Sequence, residues 1–267
     1  MCYAYRDRGS EEFLLNHLVG VEKCCEERWE LNALSRKISR VLEIPIDDVK
    51  NAILLSSLLH DLGKVAQEFQ EKCDQGICRE FPRHYMISAF LVHLGLSAMG
   101  IVVKGKDVSN FMEDRFNEID RNKVTGILIL FPIAFHHYHQ VRGYGSYSFR
   151  GCGSYSSDYL EEFVEKPRIW GRCIECLKSI HEYIDNNNIL NIAKKLLDFL
   201  LNLDKLRNSD VYRNSKLFIE NFYNDVVDKG VKLQSITLSS VVIESITGLI
   251  NLCDGYVAHR ARGVGRK

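Results

Sequence analysis

The sequence predicts an all-α fold, a helical bundle with surface loops. Apolar residues recur at spacings of three and four through most of the chain, the pattern of helices with one buried face. Only four prolines interrupt 267 residues, and 46% hydrophobic with 26% charged residues is ordinary for a soluble globular protein. The length is sufficient for one large domain over residues 1–267, with a core at about 11–260, or at most for two small domains.

The first helices follow from apolar stripes and from start signals. Residues 11–42 carry such a stripe and are predicted to be helical. In the segment IPIDD, Asp47 or Asp48 is expected to cap a helix over about 49–62. Gly63 then loosens the chain directly after a conspicuous His-Asp pair.

Prolines and polar stretches divide the middle of the chain. Pro82 is predicted to open a further helix, since proline is favoured at the first helical position. The charged segment 98–123 reads as a connector. The strongly apolar run that follows, 124–140, predicts a buried helix bent at Pro132.

The second half begins with a loop and ends with a basic tail. Residues 141–158 are rich in Gly, Ser, Tyr and Arg, which predicts a flexible surface loop. Three or four helices are expected over 159–262, the last of them apolar. Residues 259–267 form a basic tail, for which phosphate binding and disorder are both open.

Charge and cysteine usage limit the class of protein. The formal net charge is zero, so any positive potential that attracts nucleic acid has to be local. The chain starts without a secretory pattern, and none of its apolar runs approaches membrane-spanning length. Nine cysteines then predict a cytoplasmic protein with reduced thiols and without a membrane partner. Cys173 and Cys176 lack a second pair at zinc-finger spacing and are expected to be buried helix residues.

The stretch SSLLHDLGKVAQEFQ, residues 56–70, raises a chemical question. Leu58, Leu59 and Leu62 mark a helix that enters a core, yet His60 and Asp61 stand between them. A buried carboxylate beside a buried imidazole is costly unless something binds or pairs with both. Divalent metal ions would meet that requirement.

Further histidines and one aspartate occupy similar apolar surroundings. Each of them, taken alone, is more often a satisfied core residue than a ligand. The candidates beside His60 and Asp61 are His17, His84, His136, His137 and Asp254. Together they place imidazole or carboxylate in five apolar segments, which is the ligand chemistry of divalent transition metals, and two metals need a shared carboxylate.

The remaining histidines are assigned no such role. His93 lies nine residues after His84, so on one helix the two point to opposite sides and His93 is expected to be structural. His181 sits in an ordinary amphipathic stretch and His259 in the basic tail.

These motifs resemble the HD superfamily of metal-dependent phosphohydrolases, and most closely the stand-alone HD nuclease of type I CRISPR interference. FLLNHLVGV is similar to the N-terminal histidine motif of that family, HDLGKVAQEFQ to its central motif with the following Phe-Gln, and RHYMISA to its third motif. HHYH supplies paired histidines and Asp254 the final acid. Tyr138 stands where the family commonly has glycine, so His139 competes with His136 or His137 for a ligand role.

The resemblance implies an HD-domain helical bundle with two divalent metal ions, with Mn, Mg, Ni, Co and Fe all open. It implies that His17, His60, Asp61 and Asp254 hold one ion, while Asp61 is shared with a second held by His84, His136 and His137. It also implies hydrolysis of nucleic acid, preferentially single-stranded DNA with RNA also open, in CRISPR antiviral defence beside a separate CRISPR helicase and a multi-subunit surveillance complex. No Walker A sequence occurs, so ATP-driven unwinding is expected from a partner.

Two more groups of residues are candidates for the chemistry. Lys64 follows His60 by four residues and is a candidate to contact the phosphate or the leaving group; a solvated lysine at a helix end is the alternative. In the 141–158 loop, Arg142, Tyr144 and Arg150 are the predicted substrate-binding residues, because cations and aromatic rings bind single strands. A surface loop with chance aromatics is the alternative.

Two other function classes compete with the nuclease. One is an HD phosphohydrolase that acts on nucleotides or cyclic dinucleotides, which share the HD-x-G-K motif. The other is a non-catalytic helical subunit in which the metal is structural.

Overall fold

The structure, a computed structural model, describes residues 1–7, 10–76, 78–79, 81–137, 158–222 and 237–263. Two short strands form an antiparallel hairpin, β1 (Tyr3–Asp7) and β2 (Ser10–Phe13), with Tyr3 opposite Phe13. The α-helices in chain order are α1 (Leu14–Glu27), α2 (Trp29–Leu42), α3 (Ile46–Leu59), α4 (Gln67–Asp74), α5 (His84–Ala98), α6 (Gly105–Met112), α7 (Arg121–Phe135), α8 (Asp158–Glu165), α9 (Gly171–Lys178), α10 (Asn187–Leu201), α11 (Leu203–Leu206), α12 (Asp210–Phe222) and α13 (Leu238–Gly263). The predicted all-α helical bundle is confirmed, with the hairpin as an addition.

Three apolar helices form the centre of the bundle. α3 packs against α7 and α1, and α5 packs against α7 and α12. Nearly every residue of α5 is buried, because other elements cover it on several sides, so its sequence lacks a polar face. α7 begins at the Asp120 cap, whose side chain accepts the Asn122 N–H at 2.9 Å, and continues past Pro132.

Gly63 allows the chain to turn closely over α5. After α3 the backbone tightens into a 3-10 helix, Leu62–Val65, which packs on α5. A Cβ atom at Gly63 would lie 2.1 Å from the carbonyl oxygen of His84 and 2.8 Å from the amide nitrogen of Ser88. The Gly63 N–H donates to the Ser88 hydroxyl at 2.7 Å. The end of α3 is therefore held directly beside the start of α5.

Gln70 joins the hairpin to the same turn. Its side-chain carbonyl accepts the Tyr3 N–H at 2.9 Å, and its amide lies 2.9 Å from the Tyr3 carbonyl and 2.7 Å from the Lys64 carbonyl. The glutamine of the HDLGKVAQEFQ motif thus satisfies backbone groups that packing would otherwise leave unpaired.

Several predicted boundaries in the first half were wrong. The segment 11–42 begins as strand β2 and then breaks at Arg28 into two helices, since Arg28 is extended. α3 starts at Ile46, so Asp47 and Asp48 lie in its first turn and neither caps it. The sequence did not predict the β hairpin, because its strands are too short for an alternation of apolar and polar residues to be recognised.

Other corrections concern the connector and the C-terminal half. Segment 98–123 holds α6 and a 3-10 helix at Phe116–Glu118, and α5 starts two residues after Pro82, behind Arg83 in the left-handed region with φ of 56°. The described part of 159–262 contains more helices than the three or four expected. The last predicted helix is confirmed as α13.

The prediction of reduced thiols was wrong for six of the described cysteines. Disulfides join Cys2 to Cys173, Cys24 to Cys253 and Cys73 to Cys78, whereas Cys25 and Cys176 are free. Two of these bonds span sequence separations of 171 and 229 residues. Partners so distant cannot be paired from spacing alone, which is why the sequence did not predict them.

One helix also qualifies as a membrane span by length and composition, contrary to the expectation from the sequence. Residues Leu238–Arg262 of α13 have a mean hydropathy of 1.3 over the relevant window. Core helices of soluble proteins pass the same test, and α13 packs on α1, α2 and α7.

His93 is structural, as its position on α5 predicted. Its Nε2 donates to the Val103 carbonyl at 2.9 Å, its Nδ1 lies 2.9 Å from the Ser215 hydroxyl, and its ring stacks on Phe218 with centroids 4.1 Å apart. Burial lowers the pKa of His93 to about 4. The neutral imidazole therefore ties α5 to α12.

We expect the His93 contact to make folding stability depend on pH. The folded-state pKa of about 4 lies below the unfolded value of about 6.5, so the unfolded chain binds the proton more readily and stability is lost as pH falls between these values. Urea unfolding of the parent and of His93→Gln should give free energies whose difference shrinks by about 3 kcal/mol from pH 7 to pH 4. A difference that stays constant with pH would contradict the assignment.

Gly63→Ala should destabilise the protein by about 2–4 kcal/mol, because the new methyl group meets backbone rather than a movable side chain. Gly105→Ala is the matched control, since a Cβ there meets nothing within 4 Å. Chemical denaturation should leave the control within about 1 kcal/mol of the parent. Equal effects of the two changes would be inconsistent with the close approach at Gly63.

Candidate metal centre

Asp61 lies at the centre of a buried cluster of histidines. Its Oδ1 is 2.8 Å from Nε2 of His84 and 3.3 Å from Nε2 of His136. Its Oδ2 is 3.2 Å from Nε2 of His17 and 3.6 Å from Nε2 of His60. The two carboxylate oxygens therefore face two different pairs of imidazoles.

Helix ends and helix faces place these side chains. His17 is on α1, His60 and Asp61 directly follow α3, His84 begins α5, His136 and His137 directly follow α7, and Asp254 is on α13. Their ligand atoms form two groups with Asp61 in common, each within 4.8 Å. One group is His17, His60, Asp61 and Asp254, and the other is Asp61, His84, His136 and His137. The structure thus brings together all seven predicted ligands, in the same division that the resemblance implied.

Backbone carbonyls orient three of the imidazoles in the same way. In each, Nδ1 donates to the carbonyl three residues earlier in the chain. The pairs are His60 with Ser57 at 2.8 Å, His136 with Ile133 at 2.6 Å, and His84 with Phe81. Since a carbonyl only accepts, the proton resides on Nδ1 and the Nε2 lone pair points into the cluster, as in metal-binding histidines.

A carboxylate performs this task for His17. Glu12 Oε1 accepts from Nδ1 of His17 at 2.7 Å, and Arg262 lies 3.1 Å from Oε2 of Glu12. Arg262 also stacks over the Tyr5 ring at 4.3 Å, so it binds the hairpin rather than extending as a free tail. Sequence reasoning missed Glu12 because it expected a helix there; a buried acid five residues before a motif histidine was the available signal.

The donor set fits divalent metal ions. Several buried atoms that face the cluster have no hydrogen-bond partner among the described residues. They are Nε2 of His17, His60 and His136, and Oδ1 of Asp61. In addition, Nε2 of His84 and Nε2 of His137 lie 3.0 Å apart, although His84 already carries its proton on Nδ1. Atoms of this kind are rare in native interiors unless an ion or water satisfies them.

The pKa values describe the same electrostatics. Burial lowers the pKa of His60 to about 4, and burial together with His136 and His84 lowers that of His137 to about 2. Burial opposes ionisation of Asp61, yet Lys64 and the imidazoles hold its pKa well below the usual range. Neutral imidazoles and an ionised carboxylate are the forms that bind metals.

His17 differs from the other imidazoles. Burial disfavours its charge, but Asp254, Asp61 and Glu12 outweigh that effect and raise the pKa of His17 well above its usual value. A proton and a metal ion compete for Nε2, so binding at this group releases a proton and weakens as pH falls.

Lys64 belongs to the centre. Its Nζ is 2.5 Å from Oδ2 of Asp61 and 5.0 Å from the Phe81 ring centroid, and the residue is only 7% exposed. The alternative of a solvated lysine at a helix end is therefore wrong. A 3-10 helix after Asp61, Leu62–Val65, brings Lys64 to this carboxylate.

The predicted substrate-binding residues Arg142, Tyr144 and Arg150 lie outside the described residues, as do the competing His139 and tail residues 264–267. Their roles stay predictions. His181 and His259 are exposed, and they remain without a special role.

The comparison with protein families agrees with the geometry. Residues 5–101 match the family model described as Cas3, HD domain. The matched stretch contains His17, His60, Asp61, Lys64 and His84. No curated protein matches the chain. The match supports a CRISPR-associated HD nuclease family and metal-dependent hydrolysis.

We expect Glu12→Gln to weaken metal binding by about 10- to 100-fold, because Glu12 fixes the orientation and basicity of His17. Titration of EDTA-treated protein with Mn²⁺ against a fluorescent chelator measures the affinity. Glu11→Gln is the matched control, since Glu11 lies next in sequence but pairs with Arg6. Unchanged affinity in Glu12→Gln would exclude a supporting role.

Proposed function

We propose that this protein is a metal-dependent nuclease that prefers single-stranded DNA, since residues 5–101 match the family model described as Cas3, HD domain. One observation carries the proposal: Asp61 is common to two groups of candidate ligands and turns one oxygen toward each. A shared carboxylate between neighbouring sites is what two-metal phosphodiester hydrolysis requires.

The residues have separate tasks in this reaction. Bound divalent ions would polarise the phosphate oxygens and supply a nucleophilic water at neutral pH. Asp61 holds the two groups in register, while the carbonyl-bound imidazoles keep their Nε2 atoms fixed toward it. Lys64, beside Asp61 Oδ2, is placed to contact the negative charge that grows on the phosphate or on the leaving oxygen.

The wider setting of the proposal follows from the family. We propose that the protein acts in CRISPR antiviral defence beside a separate helicase and a surveillance complex that supply single-stranded DNA. A cytoplasmic location is part of the proposal, because such DNA is processed inside the cell.

Cleavage of a labelled single-stranded DNA should require added Mn²⁺, Mg²⁺, Ni²⁺ or Co²⁺ and should fall by about 100-fold or more in Asp61→Asn. Asp48→Asn is the control, because Asp48 is a surface acid paired with Arg121. Circular dichroism of both variants checks the fold. A folded, metal-loaded parent that cuts no DNA with any ion would refute the nuclease, and an Asp61→Asn protein that unfolds on metal loss would favour a structural metal.

A further inference from the structure

We propose that a groove between α1 and α13 holds the single strand of nucleic acid whose phosphodiester enters the metal centre. The inference rests on the proposed nuclease function and assigns the path of its substrate. The groove, called here the α1–α13 groove, has a volume of about 680 Å³. Its lining includes Gly20, Lys23, Arg28, Tyr256 and Arg260.

The groove begins beside the metal centre. Gly20 follows His17 by three residues on α1, and Val257 follows Asp254 by three residues on α13, so each lies about one helical turn from a candidate ligand. A Cβ atom at Gly20 would lie 3.1 Å from the Val257 side chain, so glycine sets the depth of the floor.

Within the first group of ligands, the side chain of Asp254 on α13 is the most exposed. The Asp254 side chain is 24% exposed, whereas those of His17, His60 and Asp61 are at most 2% exposed. Asp254 is therefore the member of this group that solvent reaches most readily. The α1–α13 groove lies along the same two helices that carry His17 and Asp254.

The groove walls are joined covalently. The Cys24–Cys253 disulfide links α1 to α13, and Cys24 lies in the lining. The width of the groove is therefore fixed before a ligand arrives, which reduces the entropy lost on binding.

The chemistry of the lining suits a single strand. Lys23, Arg28 and Arg260 contribute three cations against one lining carboxylate, that of Glu27. Neither Lys23 nor Arg260 has an ion-pair partner among the described residues, although Arg28 contacts Glu30 at 3.5 Å. In a chain of zero net charge this is a local positive patch of the kind that binds phosphates.

Exposed aromatic rings accompany these cations. Tyr256 is 53% exposed, with the Arg260 guanidinium over its ring at 5.6 Å. Trp29, next to Arg28, is 74% exposed but lines a separate hollow between α2 and α13. Within the groove, the Tyr256 ring beside a cation provides a stacking surface for an unpaired base.

The test measures binding and cleavage separately. Anisotropy of a fluorescein-labelled 20-nucleotide oligothymidine is followed with EDTA-treated full-length protein at several salt concentrations. The variants are Lys23→Ala/Arg260→Ala and Tyr256→Leu. The control is Lys194→Ala/Lys195→Ala, which removes two exposed lysines of α10, a helix that packs on α5 and α3. Hydrolysis of bis(p-nitrophenyl) phosphate with Mn²⁺ reports on the metal centre alone, because this diester is too small to need the groove.

The double variant should bind more weakly, and its plot of the logarithm of the binding constant against the logarithm of the salt concentration should be shallower by about 1.4. Tyr256→Leu should bind about 5- to 100-fold more weakly. In both, cleavage of the oligonucleotide relative to that of the small diester should fall at least about fivefold, as expected from lost substrate binding. The control should match the parent in every measurement.

Other outcomes overturn the proposal. Groove variants that bind as the parent does, a control that weakens equally, or a parent that binds no oligonucleotide would each do so. If the parent hydrolyses neither substrate, the nuclease function fails, whereas the anisotropy series still decides whether the groove binds single strands.

Discussion

The structure depends on one electrostatic constraint, the burial of the Asp61 carboxylate among imidazoles. A carboxylate 2% exposed inside a helical core is tolerable only when surrounding groups compensate its charge. Five side chains converge on it, four from histidines and one from Lys64. A different packing of the helices that carry these side chains would leave the Asp61 charge buried without compensation.

The bundle meets this constraint through its backbone. His60 and His136 directly follow helices, and each donates a hydrogen bond from Nδ1 to a carbonyl in the last helical turn. The same hydrogen bond orients Nε2 of each ring toward the cluster. Gly63 adds the steric condition, since only a residue without Cβ lets the α3 end lie against α5. Backbone carbonyls thus orient His60, His84 and His136, whereas His17 uses the carboxylate of Glu12.

The fold class and the side chains that converge on Asp61 were predictable from the sequence, because both leave local signals. Apolar spacing indicated helices, and a polar residue inside an apolar stripe, such as Asp61, marked an unusual burial. The partners of those residues were not predictable, because they arise from tertiary contacts. Glu12 and Arg262 meet across 250 positions, and Cys24 meets Cys253 across 229, so neither pair has a sequence spacing that identifies it. Lys64 reaches Asp61 through a 3-10 turn, a local geometry that the spacing of four residues from His60 does not specify.

The Cys24–Cys253 disulfide has a consequence for chain entropy. It lies two helical turns beyond His17 and one residue before Asp254, so it closes nearly the same loop that a metal would close between those ligands. Closing a loop lowers the conformational entropy of the unfolded chain by an amount that grows with the logarithm of the loop length. This entropy is lost only once, whichever link closes the loop first. In the oxidised protein the disulfide has already removed that entropy, so the metal ion would bind ligands whose segments are already held close together. In the reduced protein the ion itself would draw the two ends of the chain together, so metal affinity and thiol oxidation are linked quantities.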